Sequence, residues 1–421
     1  MENNLFYICL FFQMDSESIG EEIDTLVLSL DTVPPEIFLH ICSFLSSKFV
    51  INVLSSVCQK FKDVLESDVT WRLRIYERWP KKYPLVPVPP DFDWKEACIA
   101  REEQHRLWHK HSENMKKYHM KEAHFGSVNV VQIIEEGGIC ASGGRDGALK
   151  LWDLAALNEM LLETAENAQN FNPWLINERA GAHGNAWLWS IAYDKTNRVL
   201  YSGGFDCNLK TWELVEPSVQ ASSYSLASPV LCLSYCSNAL SCGCYGRSVS
   251  LFDPRAGVQP MFQHILHKKP VICMVSDEKY IISGSEDCHV IIYDKIARNV
   301  LKTWKLDGFP MSMSYNDGQI LVGDVEGSIH VIDPHEDYEL LQSYKSGHQL
   351  KVTGIQHNLG SIITCSTDKT IRVLEPNAEP EPIAVLQGDA EVAKISFCNS
   401  ILVSANADDS ITVWKPREDL D

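Results

Sequence analysis

No long hydrophobic run occurs in this sequence. Its one apolar stretch, residues 5–12, spans eight residues, far fewer than the roughly 20 that a membrane-crossing helix needs. No basic residue precedes that stretch, and Glu17, Glu21, Glu22 and Asp24 follow it, so it is poorly built as a secretory signal. Met14 offers an alternative start that would leave residues 1–13 out of the main product. No membrane partner is expected. Basic residues are scarce as well: 37 Lys and Arg stand against 56 Asp and Glu, for a net charge of −19. That balance opposes a surface that tracks phosphates and argues against a nucleic-acid partner. The 14 cysteines form no pairing framework; Cys140, Cys232, Cys273 and Cys398 fall inside apolar strand patterns, as reduced thiols of the cytoplasm, or also the nucleus, would.

The parts that chemistry requires are missing too. There is no Gly-rich phosphate loop, no Cys/His cluster at zinc spacing and no nucleophile in a strand–turn–helix context. Cys242 and Cys244 form an isolated CxC, and His105 and His109 stand four apart with no third ligand in phase, which suits surface histidines better than a metal pair. A non-catalytic protein without cofactor or metal is expected.

What is present is a repeated phrase, clearest over residues 202–213: a short strand, a tight turn, and a second strand ending in Trp212-Glu213. Residues in the Trp212 position recur as Trp152, Trp212, Phe252, Tyr293, Ile332, Leu374 and Trp414, at steps of 60, 40, 41, 39, 42 and 40 residues. A period near 40 with a Trp-acid ending is the mark of a β-propeller, and seven copies imply seven blades. Six positions before the aromatic stand Asp146, Asp206, Asp287, Asp368 and Asp408; ten before it stand Ser142, Ser202, Ser283, Thr364 and Ser404. His124, His183, His267 and His348 lead four of the copies. The pattern resembles the WD-repeat family. That resemblance implies a hydrogen-bonded tetrad in each complete blade, here His124, Ser142, Asp146 and Trp152 in blade 1 and His183, Ser202, Asp206 and Trp212 in blade 2. Blades 3, 5 and 7 depart from it, with Cys242 and Gly246, Val322 and Glu326, and Asp389 in the respective tetrad positions. These blades are expected to rely on packing against their neighbours.

Ahead of the repeats, Val33-Pro34-Pro35-Glu36 supplies prolines and an acid for a helix's first turn. Ile37, Ile41, Phe44 and Leu45 then recur at helical spacing. Second and third apolar stripes follow at Phe49 to Val57 and Phe61 to Leu65, with Asp68 and Trp71-Arg72 after them. Three short helices cannot bury every apolar face by themselves. Val33-Pro34, Glu36, Ile37, Ile41, Phe44-Leu45, Val57-Cys58, Phe61, Asp68 and Trp71-Arg72 resemble the F-box, which docks substrate receptors onto the Skp adaptor of a cullin-based ubiquitin ligase. Val33 and Phe61 stand where the family more often has Leu and Trp. The resemblance implies that Val33, Pro34, Ile37, Ile41, Leu45, Val53 and Val57 bind the adaptor.

Five prolines within residues 80–90 favour an extended, semi-rigid spacer, and residues 93–112 read as a helix that braces the propeller. Only seven residues follow Trp414, too few for an outer strand, so a strand near residues 117–123 should complete the last blade and close the ring. The extra length between blades 1 and 2 falls on a polar loop at 155–180.

The chain is therefore read as α+β and multidomain. An acidic, disordered N-terminus (1–28) precedes a small all-α F-box (29–76), a Pro-rich spacer with a linker helix (77–114), an all-β seven-bladed propeller (115–416) and a short tail (417–421). F-box followed by WD repeats is the arrangement of F-box/WD-repeat substrate receptors, which implies a substrate-recognition subunit with a Skp adaptor, a cullin scaffold and a protein substrate as partners. The alternative is a non-degradative scaffold. In WD-repeat proteins the residue just before the turn Asp often reaches the recognition rim, which selects Arg145, Phe205, Tyr245, Glu286, Val325, Thr367 and Ala407, joined by Trp187, Trp189, Ile272, Lys351 and Thr353 near the starts of inner strands. With one Arg and one Lys in this set, an aromatic anchor is expected and not a phosphate clamp.

Overall fold

The computed structural model describes residues 33–87, 89, 92–158, 174–214, 219–256, 259–316, 318–335 and 337–417. The expected acidic N-terminus, most of the long connection between blades 1 and 2, and residues 418–421 lie outside these. The chain divides into two compact units, one ending at Thr70 and the other starting at Trp71.

In the first unit, α1 (Pro35–Ser43) starts on Pro34-Pro35, where a missing N–H costs nothing. The Ser46 hydroxyl caps α2 (Ser47–Asn52) by accepting from the Phe49 amide at 3.3 Å. A 3₁₀ turn (Leu54–Ser56) and α3 (Gln59–Glu66) follow. Val33, Phe38, Cys42, Val50, Phe61 and Leu65 are buried, and the Phe38 and Phe61 rings stack at 4.1 Å. Helix α4 (Asp68–Arg78) begins in this unit and runs into the second.

In the second unit the Asp93 carboxylate caps α5 (Trp94–His109) through the Lys95 and Glu96 amides, both at 2.9 Å. Four-stranded antiparallel sheets then follow, seven among the described residues. The last is built from both ends of the propeller: β1 (Met115–Met120) pairs with β2 (Ile411–Pro416), Met115 opposite Pro416 and Met120 opposite Ile411. The expected closure is found, two residues earlier than read. Seven apolar clusters fill the spaces between successive blades, one for each interface, the last joining blade 7 to blade 1. Glycines allow this approach: a Cβ on Gly203 would stand 2.3 Å from the Val230 side chain of the next blade.

The innermost strands share one irregularity. Each carries a β-bulge near its start, and the residues standing in the bulges are Asn129, Trp189, Leu231, Ile272, Met311, Thr353 and Ala393. A bulge frees a residue from the ladder and re-aims its side chain. All seven line the central cavity, about 520 Å³ in volume.

The proline-rich segment, expected as an extended, semi-rigid spacer, is docked on the propeller. Lys81 Nζ donates to the Glu379 carbonyl at 3.0 Å and to Glu381 at 2.6 Å, the Ala378 amide donates to the Lys82 carbonyl at 3.1 Å, and Tyr83 Oη donates to the Leu359 carbonyl at 2.9 Å. Leu85 and Val86 are buried in the core between blades 5 and 6. Proline content sets an extended path, but an extended chain keeps free carbonyls and apolar side chains, and these find partners on the propeller. Arg101 of α5 is buried between the Trp79 and Tyr83 rings, 4.4 Å from each centroid. Trp108 of α5 lies in the core between blades 6 and 7, so this helix does brace the propeller.

Candidate functional site

Two complete polar networks order blades 1 and 2. In blade 1 the indole of Trp152 donates to Ser142 Oγ at 2.8 Å, Ser142 Oγ lies 2.7 Å from His124 Nε2, and His124 Nδ1 lies 3.0 Å from both Asp146 oxygens. Burial would raise the Asp146 carboxyl, but the His124 hydrogen bond and the Phe125 and Ala148 amides hold it down to about 2. Blade 2 repeats the chain with Trp212, Ser202, His183 and Asp206 at 2.7–2.8 Å. Blades 4 and 6 keep His267–Ser283–Asp287 and His348–Thr364–Asp368. There Tyr293 and Leu374 replace the indole. The Tyr293 hydroxyl is buried without a partner among the described residues.

The three departing blades substitute differently. Blade 5 is not held by packing alone: Asp324 Oδ2 lies 3.0 Å from His330 Nε2, and His330 Nδ1 lies 2.7 Å from Ser343 Oγ. This histidine was missed because it stands on a strand, outside the loop phase of the others. In blade 7 Asn406 gathers Ser404, Ser410 and Thr412 at 3.0–3.1 Å, while Asp389 is exposed. In blade 3 the Cys242 and Cys244 sulfurs stand 3.8 Å apart, and Ser228 Oγ accepts from the Gly246 amide at 2.6 Å. His105 and His109 stack at 5.1 Å, and no group of three or more metal-ligating residues occurs among the described residues.

These networks stiffen the turns that carry the rim. Trp187, Trp189 and Phe205 form one aromatic cluster with centroids 5.2–6.2 Å apart, and the Arg145 guanidinium lies 4.7 Å above the Trp187 ring. Trp187 is 39% and Tyr245 57% exposed. Arg145, Trp189 and Lys351 line the cavity; Trp187, Phe205 and Tyr245 do not. The residue order gave no sign of Lys394, which also lines it, because it sits inside an apolar strand pattern.

On the first unit the residues named for the Skp adaptor divide. Pro34, Ile37, Val53 and Val57 are exposed, Ile41 and Leu45 are half-buried, and Val33 is buried. The Val33 side chain is covered, at 6% exposure, whereas Phe44, 78% exposed, stands on the surface. Helical spacing put Phe44 among the apolar positions but did not tell core from surface.

The F-box-like family matches residues 30–76. The family described as WD domain, G-beta repeat matches 115–153, 179–213, 259–294 and 338–374, and these four stretches lead through blades 1, 2, 4 and 6, the ones that hold a loop His. The chain is 36% identical to human F-box/WD repeat-containing protein 9 over 91% of its own length and 82% of that protein's. It is 24% identical to F-box/WD repeat-containing protein mec-15 of Caenorhabditis elegans, over 92% of this chain and 96% of that one. Among solved structures, the WD40 β-propeller domain of Doa1 superposes with a TM-score of 0.59 at 18% identity, covering 72% of this chain and 97% of that one.

Proposed function

The chain belongs to the F-box/WD repeat-containing protein family, and from that premise we propose that it is the substrate-recognition subunit of a Skp–cullin–F-box ubiquitin ligase. Its F-box docks the Skp adaptor and through it the cullin, its propeller rim holds a protein substrate, and it performs no bond chemistry of its own. Tethering replaces a rare encounter with a high effective concentration of the substrate near the transfer machinery. We assign its work to the cytoplasm or nucleus, where its thiols stay reduced.

One observation carries this reading. The first unit keeps Phe38, Val50 and Phe61 for its own core yet leaves Ile37, Phe44, Val53 and Val57 exposed. Large apolar side chains crowded on the surface of a small helical unit mark a partner's footprint. Substituting Phe44→Asp together with Val57→Asp alters only exposed positions. Affinity capture should then recover at least tenfold less Skp adaptor and cullin, with an unchanged melting temperature. Undiminished capture by a folded variant would overturn the adaptor assignment and leave the non-degradative scaffold as the better reading.

A further inference from the structure

We propose that the mouth of the propeller channel receives an acidic peptide segment built around one bulky apolar side chain. The proposal rests on the receptor reading above and names the chemistry of what is received. The ring of bulge residues is two-sided. Across blades 2 to 5 it presents Trp189, Leu231, Ile272 and Met311 in unbroken succession, whereas blades 6, 7 and 1 contribute only Thr353, Ala393 and Asn129. A cavity of about 520 Å³ falls within the usual range for sites that engulf an apolar group.

The charges sit on the other arc. Arg145 of blade 1, Lys351 of blade 6 and Lys394 of blade 7 line the cavity with a single carboxylate, Glu391, among the described residues. Three cations against one anion make this mouth positive on a chain whose net charge is −19. Lys394 is distinctive: the matching position after the bulge is Val130, Ser190, Cys232, Cys273, Ser312 or Gly354 in the other blades, never charged. A phosphate wants donors converging on one point. Here the cations are spread over three blades with Glu391 beside them, which suits separate carboxylates flanking a buried apolar residue.

The test uses the full chain and fluorescence anisotropy with four labelled decapeptides. Each carries a single central Trp; three are flanked by Glu, Gln or Lys, and the fourth by Gln with one phosphoserine. The Glu-flanked peptide should bind at least tenfold tighter than the Gln-flanked one, and the advantage should shrink as salt is raised. Lys394→Gln, and separately Lys351→Gln, should each cut that advantage at least threefold. Trp189→Ala should weaken both peptides. Equal binding of all peptides, a preference for Lys flanks, binding of the phosphoserine peptide alone, or no binding at all would each overturn the proposal. Failure to capture the Skp adaptor alongside tight Glu-peptide binding would sink the ligase reading and leave this site standing.

Discussion

Six histidines are buried in the propeller, His124, His183, His267, His330, His348 and His357, and both ring nitrogens of each have a partner. Five of them face an Asp; His357 faces only Ser314 Oγ at 2.9 Å and the Asn316 carbonyl at 3.0 Å. With no carboxylate hydrogen-bonded to it among the described residues, burial pushes the His357 imidazole down to about 4. Its folded value lies below the ordinary unfolded value of about 6.5, so its contribution to stability is complete above that pH and is lost as pH falls toward 4. At pH 5 the loss amounts to about 2 kcal/mol. Burial also lowers His267 and His348, which likewise give up stability as pH falls below the ordinary value of about 6.5, so some acid sensitivity remains without His357. Thermal unfolding of the wild type and of His357→Gln between pH 7.5 and 5 should therefore give a shallower slope for the variant. Parallel slopes would mean that this imidazole does not titrate with unfolding.

At the scale of elements, the docked segment before α5 changes what a linker mutation does. Leu85 and Val86 share a core with Leu321, Val352 and Leu374, so Leu85→Ala with Val86→Ala deletes packing and leaves a cavity worth about 2–5 kcal/mol. Chemical denaturation should register that loss; a free spacer would tolerate both changes with no shift in midpoint. The sequence made the elements legible wherever a period repeats. Seven aromatic-position residues located seven blades, four loop histidines announced four networks, and Pro34-Pro35 and Asp93 marked helix starts. It could not show where the extended segment docks, because polyproline geometry does not name a partner. Nor could it separate Val33 from Phe44, since helical spacing marks an apolar face and not which part of that face the unit covers itself. His330 and Lys394 were illegible for different reasons: Lys394 stands at a strand position that is uncharged in every other blade, whereas His330 stands where the other blades carry Lys150, Lys210, Ser250, Ile291, Arg372 and Thr412, away from the loop position of the other histidines.

At the scale of the whole propeller, stability is shared among seven interfaces in a circle, and a circle has no terminal repeat to cap. The closing strand β1 supplies three buried side chains: Met115 joins the core between blades 6 and 7, and Tyr118 and Met120 join the core between blades 7 and 1 with Val131, Trp152 and Val413. Lys117, on the same strand, is exposed, with its ammonium 5.8 Å from the centre of the Trp414 ring. Replacing Tyr118 and Met120 with Asp buries two unpaired charges if β1 stays in place, so the strand should leave. Blade 7 then has three strands, and the edge of β2 is free to pair with another molecule. The loss of two large buried side chains comes to several kcal/mol, which for a domain of this size lowers the melting temperature by roughly 10 °C. Calorimetry should show that fall, and light scattering should show association that grows with concentration; Lys117→Gln should show neither. If the double variant melts like the wild type and stays monomeric, β1 does not hold the ring closed and the seven interfaces are stable without it.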